Sequence, residues 1–255
     1  MDAAKTISLI RCEPGGATEV SDQVAVEEPL EIRLDGHPVA VLMRTPGHDE
    51  ELAAGFLVTE GIVSTVKELR KIEPRPDENR VLIFLTDGVA VDLGRLTRHL
   101  FTGSSCGLCG KATLEAIFTH SPPISGRIET SNEAILGAPA KLQAAQGTFE
   151  STGGLHAAGV FSAAGGLILV REDIGRHNAV DKVIGHALLN GIDLTETFLL
   201  VSGRLSFEIM QKALAARIPT VAAISAPSSL AVEFARKSGQ GLIGFLRPPT
   251  FNRYG

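Results

Sequence analysis

Along residues 24–45, VAVEEPLEIRLDGHPVAVLMRT, apolar and polar positions alternate with a period of two. That is the signature of strands with one face buried. Asp35-Gly36 in the middle is a hairpin turn signal, so two antiparallel strands are predicted around it. His48-Asp49-Glu50-Glu51 then opens a helix, with acids in the first turn where the helix dipole favours them. Leu52, Ala53, Phe56 and Leu57 supply its apolar face and Gly61 ends it. EPRPDENR reads as a charged, proline-broken loop. VLIFL and VAVDL around Thr86-Asp87-Gly88 read as a second hairpin. The first part of the chain is therefore expected to be α+β.

The pattern changes in the second half. Residues 158–163 and 167–170 read as short strands, followed by the helix GRHNAVDKVIGHALLN. FLLVSG is a strand of the fully buried type, LSFEIMQKALAAR a helix and TVAAIS a strand. SSLAVEFARKSG is a further helix and GLIGFL a last strand. Strand and helix alternating in this way predict an α/β domain: a mainly parallel sheet with helices on both faces. The division falls between 1–110 and 111–255, in the passage from Gly110 to Ser131 that includes SPPISG. Ligands of such sheets collect at the carboxyl ends of the strands. Those ends are REDIGRH, SGR, SAPSS and RPPT.

Composition narrows the function classes. The chain has 255 residues, a net charge of −5, no Trp and one Tyr. It offers neither a global basic field nor stacking platforms for nucleic acid. The start, MDAAKTISLIRCEPGG, lacks the basic and apolar regions of a signal peptide, and no apolar run has the length of a membrane span. Three cysteines do not make a disulfide scaffold, and a free pair suits a reducing cytosol. Cys12 stands alone near one end.

The other two, Cys106 and Cys109, lie in TGSSCGLCGKATLEA, a Gly/Ser loop running into an apolar-periodic segment. Sulfurs at a helix N-terminus beside Lys111 would have thiolate character, and the thiolate is the reactive form. Four readings fit the spacing. A structural zinc site needs about four ligands, and a second C-x-x-C is lacking. A redox pair would be expected after an N-terminal strand. Two packing cysteines would be unusual among glycines and serines. A nucleophilic or sulfur-carrying cysteine is the fourth.

Other motifs are incomplete. Ser105 and Ala112 break the phosphate-loop pattern around GSSCGLCGKA, and a dinucleotide fingerprint after a strand is lacking. TGGLHAAG has the histidine of a zinc deaminase, His156, but Ala158 replaces the proton-shuttling glutamate. Arg171, Glu172, Asp173, Arg176 and His177 crowd one predicted strand end. Ser202-Gly203-Arg204 presents a cation before a helix whose N-terminus could take a phosphate.

Taken together, TPGHDEELAAGFLVTEG, GSSCGLCGK, GGLHAAG, REDIGRHNAVDKVIG, SGRLSFEIMQKA and GFLRPPTFNRYG resemble the FdhD family of formate dehydrogenase accessory sulfurtransferases. The resemblance runs from residue 45 to residue 255. It implies a cytidine-deaminase-like three-layer α/β domain behind the smaller N-terminal one, and a cytoplasmic homodimer. It implies a protein that receives a persulfide from a cysteine desulfurase. The sulfur then passes to a molybdenum bis(molybdopterin guanine dinucleotide) cofactor, or its tungsten analogue, bound for formate dehydrogenase. The cofactor is cargo, and no resident metal is implied. Cys106 would carry the sulfur with Cys109 assisting. Phe245, Leu246, Arg247, Pro248, Pro249 and Thr250 would contact the cofactor. The two prolines lack an N–H, so Arg247 would be left to meet a phosphate through its side chain. The competing expectations are a cofactor-holding chaperone without sulfur chemistry and a C-x-x-C thiol oxidoreductase.

Overall fold

The computed structural model describes residues 2–89, 91, 118, 121–125 and 128–254. The Cys106–Cys109 loop, Lys111 and the predicted division at 110/111 lie outside the described residues. So does most of VAVDL.

The chain opens with a two-stranded ribbon, β1 (Ala4–Glu13) and β2 (Gly16–Ala25), antiparallel throughout. Cys12 is therefore an exposed strand residue opposite Ala17. A four-stranded sheet follows in the order β4-β3-β6-β5, from β3 (Glu28–Leu34), β4 (His37–Arg44), β5 (Leu69–Arg75) and β6 (Arg80–Leu85). The β3–β4 hairpin turns at Asp35-Gly36 as its sequence predicts, with both residues at positive φ, 47° and 83°.

Two expectations for this half fail. EPR of EPRPDENR is strand, because LRKIEPR pairs antiparallel with β6. Pro74 is tolerated there because β5 is an edge strand. β6 is flanked by β3 and β5, with β3 parallel to it, so its hairpin partner precedes it in sequence and is not VAVDL.

The second sheet has six strands in the order β12-β11-β10-β9-β7-β8. They are β7 (His156–Ser162), β8 (Leu167–Asp173), β9 (Thr197–Val201), β10 (Thr220–Ala223), β11 (Gly241–Arg247) and β12 (Thr250–Arg253). β9, β10 and β11 are parallel, as expected of the alternating segment. β7 is antiparallel to both its neighbours and β12 is antiparallel to β11, so the sheet as a whole is mixed rather than mainly parallel. The cause is connection length. Residues 163–166 join β7 to β8 and two prolines join β11 to β12, too few for a crossover. RPPT is thus a turn into a strand and not a tail.

Helices cover both faces, giving three layers. On one face lie α4 (Arg176–Asn190), α5 (Phe207–Ala215) and α6 (Ser229–Ser238). On the other, α2 (Asn132–Ala144) sets Ile135, Ala138 and Leu142 against Phe161, Phe198, Leu200 and Ile243. A short helix, α3 (Gly147–Thr152), follows α2. Sequence patterning missed α2, whose run carries both Gly137 and Pro139.

α1 (Asp49–Thr59) is the hinge pin between the sheets. Residues 52–59 are buried all round, between the four-stranded sheet and α4. The α1–α4 crossing is so close that a Cβ at Gly55 would stand 1.8 Å from the Asp181 carbonyl oxygen. One at Gly185 would meet the Glu51 carbonyl oxygen at the same distance, 1.8 Å. One buried cluster runs from Leu30 and Ile83 through Leu57 to Val183 and Leu199, so both sheets share a core. Among the described residues no helix is long and apolar enough to cross a membrane.

Candidate functional site

Because β7 runs against β9, its first residue, His156, lies beside the last residues of β9. Ala157 N–H donates to the Ser202 hydroxyl at 2.9 Å, and Ser202 N–H donates to the Ala157 carbonyl at 2.9 Å. β8 returns alongside, placing Asp173 opposite His156. The ends of β9, β10 and β11 complete this edge, where Phe245 N–H donates to the Ser225 carbonyl at 3.0 Å.

A cavity of about 620 Å³ opens at this edge. His156, Ser202, Ile224, Leu246, Arg247 and Pro248 form its sheet side. Pro139, Gln143, Gln146 and Phe149 form the opposite wall. Its size is that of an ordinary small-molecule site, roughly 300–1,000 Å³. The structure thus brings together Ser202, Leu246, Arg247 and Pro248, four of the residues expected to contact a ligand. Arg247 is exposed, and its Nε donates to the Ile224 carbonyl at 3.2 Å. Its guanidinium also lies over the Phe245 ring, 5.8 Å from the centroid. Phe245, Pro249 and Thr250 are exposed neighbours of the cavity and do not line it, and the exposed Arg204 does not either. Cys106 and Cys109 lie outside the described residues.

Sequence reasoning did not find the far wall. Pro139, Gln143 and Phe149 come from helices that patterning missed, and Gln146 from the junction between them. The one signal available was an aromatic, Phe149, amid glycines and polar residues. Glu172 holds that wall: its carboxylate accepts the N–H groups of Thr148 (3.0 Å) and Phe149 (2.7 Å) at the start of α3.

The crowded REDIGRH segment sorts into separate tasks. Arg171 grips Glu51 with two hydrogen bonds, at 2.6 and 2.8 Å, and His186 Nδ1 meets the same carboxylate at 2.8 Å. Burial opposes ionisation of Glu51, but the hydrogen bonds from Arg171, His48 and His186 outweigh it and hold its carboxyl well below the usual range. Asp173 and Lys182 form a fully buried ion pair at 2.7 Å. Thr45 N–H, Gly175 N–H and Asn178 also donate to Asp173, so the pair ties the β4–α1 connection to the β8–α4 turn. His156 is half-buried; burial and then the Arg176 charge push its imidazole below its ordinary value, against Asp173. Burial, with Arg176 and Lys212, takes His177 down to about 4. At neutral pH both rings are therefore uncharged, and each keeps one nitrogen able to accept a proton or a hydrogen bond.

The fold is thus a mixed three-layer α/β structure with a strand-end cavity that bears an arginine, a serine and a histidine. The particular group is given by comparison with known proteins. The chain belongs to the FdhD/NarQ family, whose model matches residues 25–255. It is 48% identical to a protein of Streptomyces avermitilis named sulfur carrier protein FdhD, over 96% of this chain and 92% of that one. A protein of the same name from Sulfolobus acidocaldarius is 42% identical, over 98% and 96%. The crystal structure of a Desulfotalea psychrophila protein, assigned as a formate dehydrogenase accessory protein, superposes with a TM-score of 0.80. That protein is 25% identical, and the match covers 100% of this chain and 97% of the other.

Proposed function

We propose that this protein is a sulfur carrier for the maturation of formate dehydrogenase. Cys106 thiolate attacks the outer sulfur of a cysteine desulfurase persulfide. The donor's S–S bond breaks, the donor leaves as a thiolate and Cys106 becomes a persulfide. The sulfur then goes to the molybdenum bis(molybdopterin guanine dinucleotide) cofactor, or its tungsten counterpart, as bound substrate. Cys109 thiolate attacks the inner sulfur, releasing HS⁻ toward the metal. The Cys106–Cys109 disulfide left behind is reduced by an external thiol. The sulfurated cofactor is handed to formate dehydrogenase. The protein works in the cytoplasm as a homodimer.

The observation that carries this reading is the cavity. Ser202 is distant in sequence from the run Leu246-Arg247-Pro248, yet all four line one cavity of the volume of a nucleotide-sized group. Membership of a family whose relatives are named sulfur carriers supports the sulfur chemistry. Leu246 and Ile224 suit a purine face, while Ser202 and Arg247 offer donors to its edge or to phosphate.

Formate dehydrogenase produced with this protein as its sole accessory factor tests the reading. Cys106→Ser should abolish formate oxidation and Cys109→Ala should slow its appearance. A protein that merely holds the cofactor would tolerate both changes. A thiol oxidoreductase would titrate as a reversible dithiol and gain no sulfur.

A further inference from the structure

The β1–β2 ribbon is built of two 10-residue strands. Alternation along each strand and the register between them assign its two faces. Ile7 stands opposite Asp22, Leu9 opposite Val20, Lys5 opposite Val24 and Arg11 opposite Thr18. One face therefore carries four aliphatic side chains, Ile7, Leu9, Val20 and Val24. The other is mostly small and polar, with Thr6, Ser8, Ser21 and Gln23.

The described residues leave the aliphatic face open. Ile7 and Val24 are 36% and 37% exposed, and Leu9 and Val20 are half-buried. None of the four packs against either buried cluster of the core. The main contact of the ribbon with the rest of the chain is α3, and at its root the Ala25 Cβ lies 3.5 Å from where a Cβ at Gly154 would be. A two-stranded ribbon alone is marginal in water, and a further layer over its apolar face is what stabilises it. The ribbon is nonetheless a regular part of this fold: the match to the Desulfotalea psychrophila structure covers 100% of the chain.

Charge indicates what fits there. The rim of the patch has Lys5 and Arg11 on β1 and Asp22 on β2, all exposed. A patch with opposite charges on its two strands complements itself under a twofold axis. With β1 of one copy laid over β2 of another, Leu9 falls over Val20 at the centre and Lys5 comes near Asp22, so that like charges are kept apart.

We propose that this face is an interface between two copies of the chain, ribbon on ribbon, enclosing a two-layer apolar contact with the layers about 10 Å apart. The proposal rests on the homodimer of the reading above and names the surface that makes it. Because the root of the ribbon abuts α3 and Gly154, the contact is continuous with the far wall of the cavity.

Sedimentation equilibrium of the intact protein tests this. The wild type should sediment at twice the 26.9 kDa of one chain. Ile7→Glu with Val24→Glu puts two carboxylates into the contact, and the dimer dissociation constant should rise about a hundredfold or more. Both side chains are exposed, so the variant should fold like the wild type, as its circular dichroism spectrum would show. Val41→Glu with Met43→Glu, an exposed apolar pair on β4, should leave the dimer intact. On the wild type itself, the amides of residues 4–25 should exchange hydrogen faster once dilution splits the dimer. A dimer as tight in Ile7→Glu/Val24→Glu as in the wild type overturns the proposal and leaves the homodimer reading standing. If that variant keeps the dimer but fails to mature formate dehydrogenase, the dehydrogenase is what covers the ribbon, which contradicts the proposal too. If the variant does not fold, ribbon exchange independent of protein concentration overturns it equally. A monomeric wild type removes the homodimer reading and the proposal together and leaves the sulfur chemistry untouched.

Discussion

Ser202 and Ala157 are joined by reciprocal hydrogen bonds, hydroxyl and carbonyl each accepting a backbone N–H at 2.9 Å. This clamp extends the antiparallel β7–β9 pairing past the end of β9 and fixes His156 in the cavity lining. Ser202→Ala leaves the Ala157 N–H without its acceptor. A loss of about 1–2 kcal/mol in urea denaturation is expected, with weaker guanine-nucleotide binding measured on the same sample. Nucleotide affinity equal to the wild type would remove Ser202 from the site.

The Asp173–Lys182 pair is fully buried, and Lys182 also donates to the Thr45 carbonyl at 2.9 Å. Removing one partner strands the other charge. Lys182→Met should cost about 3–5 kcal/mol. Adding Asp173→Asn to it should cost less than the sum of the single changes, because the two residues share one interaction. Additive losses in a double-mutant cycle would show that the pair does not couple.

The α1–α4 crossing depends on two missing side chains. Gly55→Ala would drive a methyl to 1.8 Å from a backbone oxygen, which rotamer changes cannot relieve. The helices must separate, at about 3 kcal/mol or more, and the shared core loosens with them. Gly137→Ala, in α2 with open space around it, is the matched control and should be near neutral. Equal melting temperatures for the two variants would count against the close crossing.

Acid sensitivity should trace in part to Glu51. Folding holds its carboxyl below its ordinary value of 4.5, so the unfolded chain takes up that proton first. Its contribution is fully present above about pH 4.5 and is lost as pH falls below that value toward its folded-state range. Glu51→Gln should flatten the stability–pH curve in this window while lowering stability at pH 7. A variant curve parallel to the wild type's throughout would be the contrary result.

Much of this architecture was legible in the sequence because local chemistry and global fold agree there. Asp35-Gly36 takes the turn its residues favour, and the FLLVS and TVAAI strands are buried on both faces as their unbroken apolar runs imply. The failures have identifiable causes. β1 and β2 are exposed on both faces, so little alternation marks them. β5 contains Pro74 and four charged residues because it is an edge. The antiparallel insertion of β7 between β8 and β9 is a matter of strand order, which no local pattern encodes. That insertion brings His156 to Ser202 and Arg176 to Gly203. Sequence could therefore nominate Ser202, Leu246, Arg247 and Pro248, but not the facing wall of Pro139, Gln143, Gln146 and Phe149.

Mass spectrometry of the protein after incubation with a cysteine desulfurase and cysteine tests the sulfur-carrier account most directly. A gain of about one sulfur atom, roughly 32 Da, on the peptide carrying Cys106 is expected, removed by reductant and absent in Cys106→Ser. An unmodified Cys106 alongside a fully active formate dehydrogenase would contradict it.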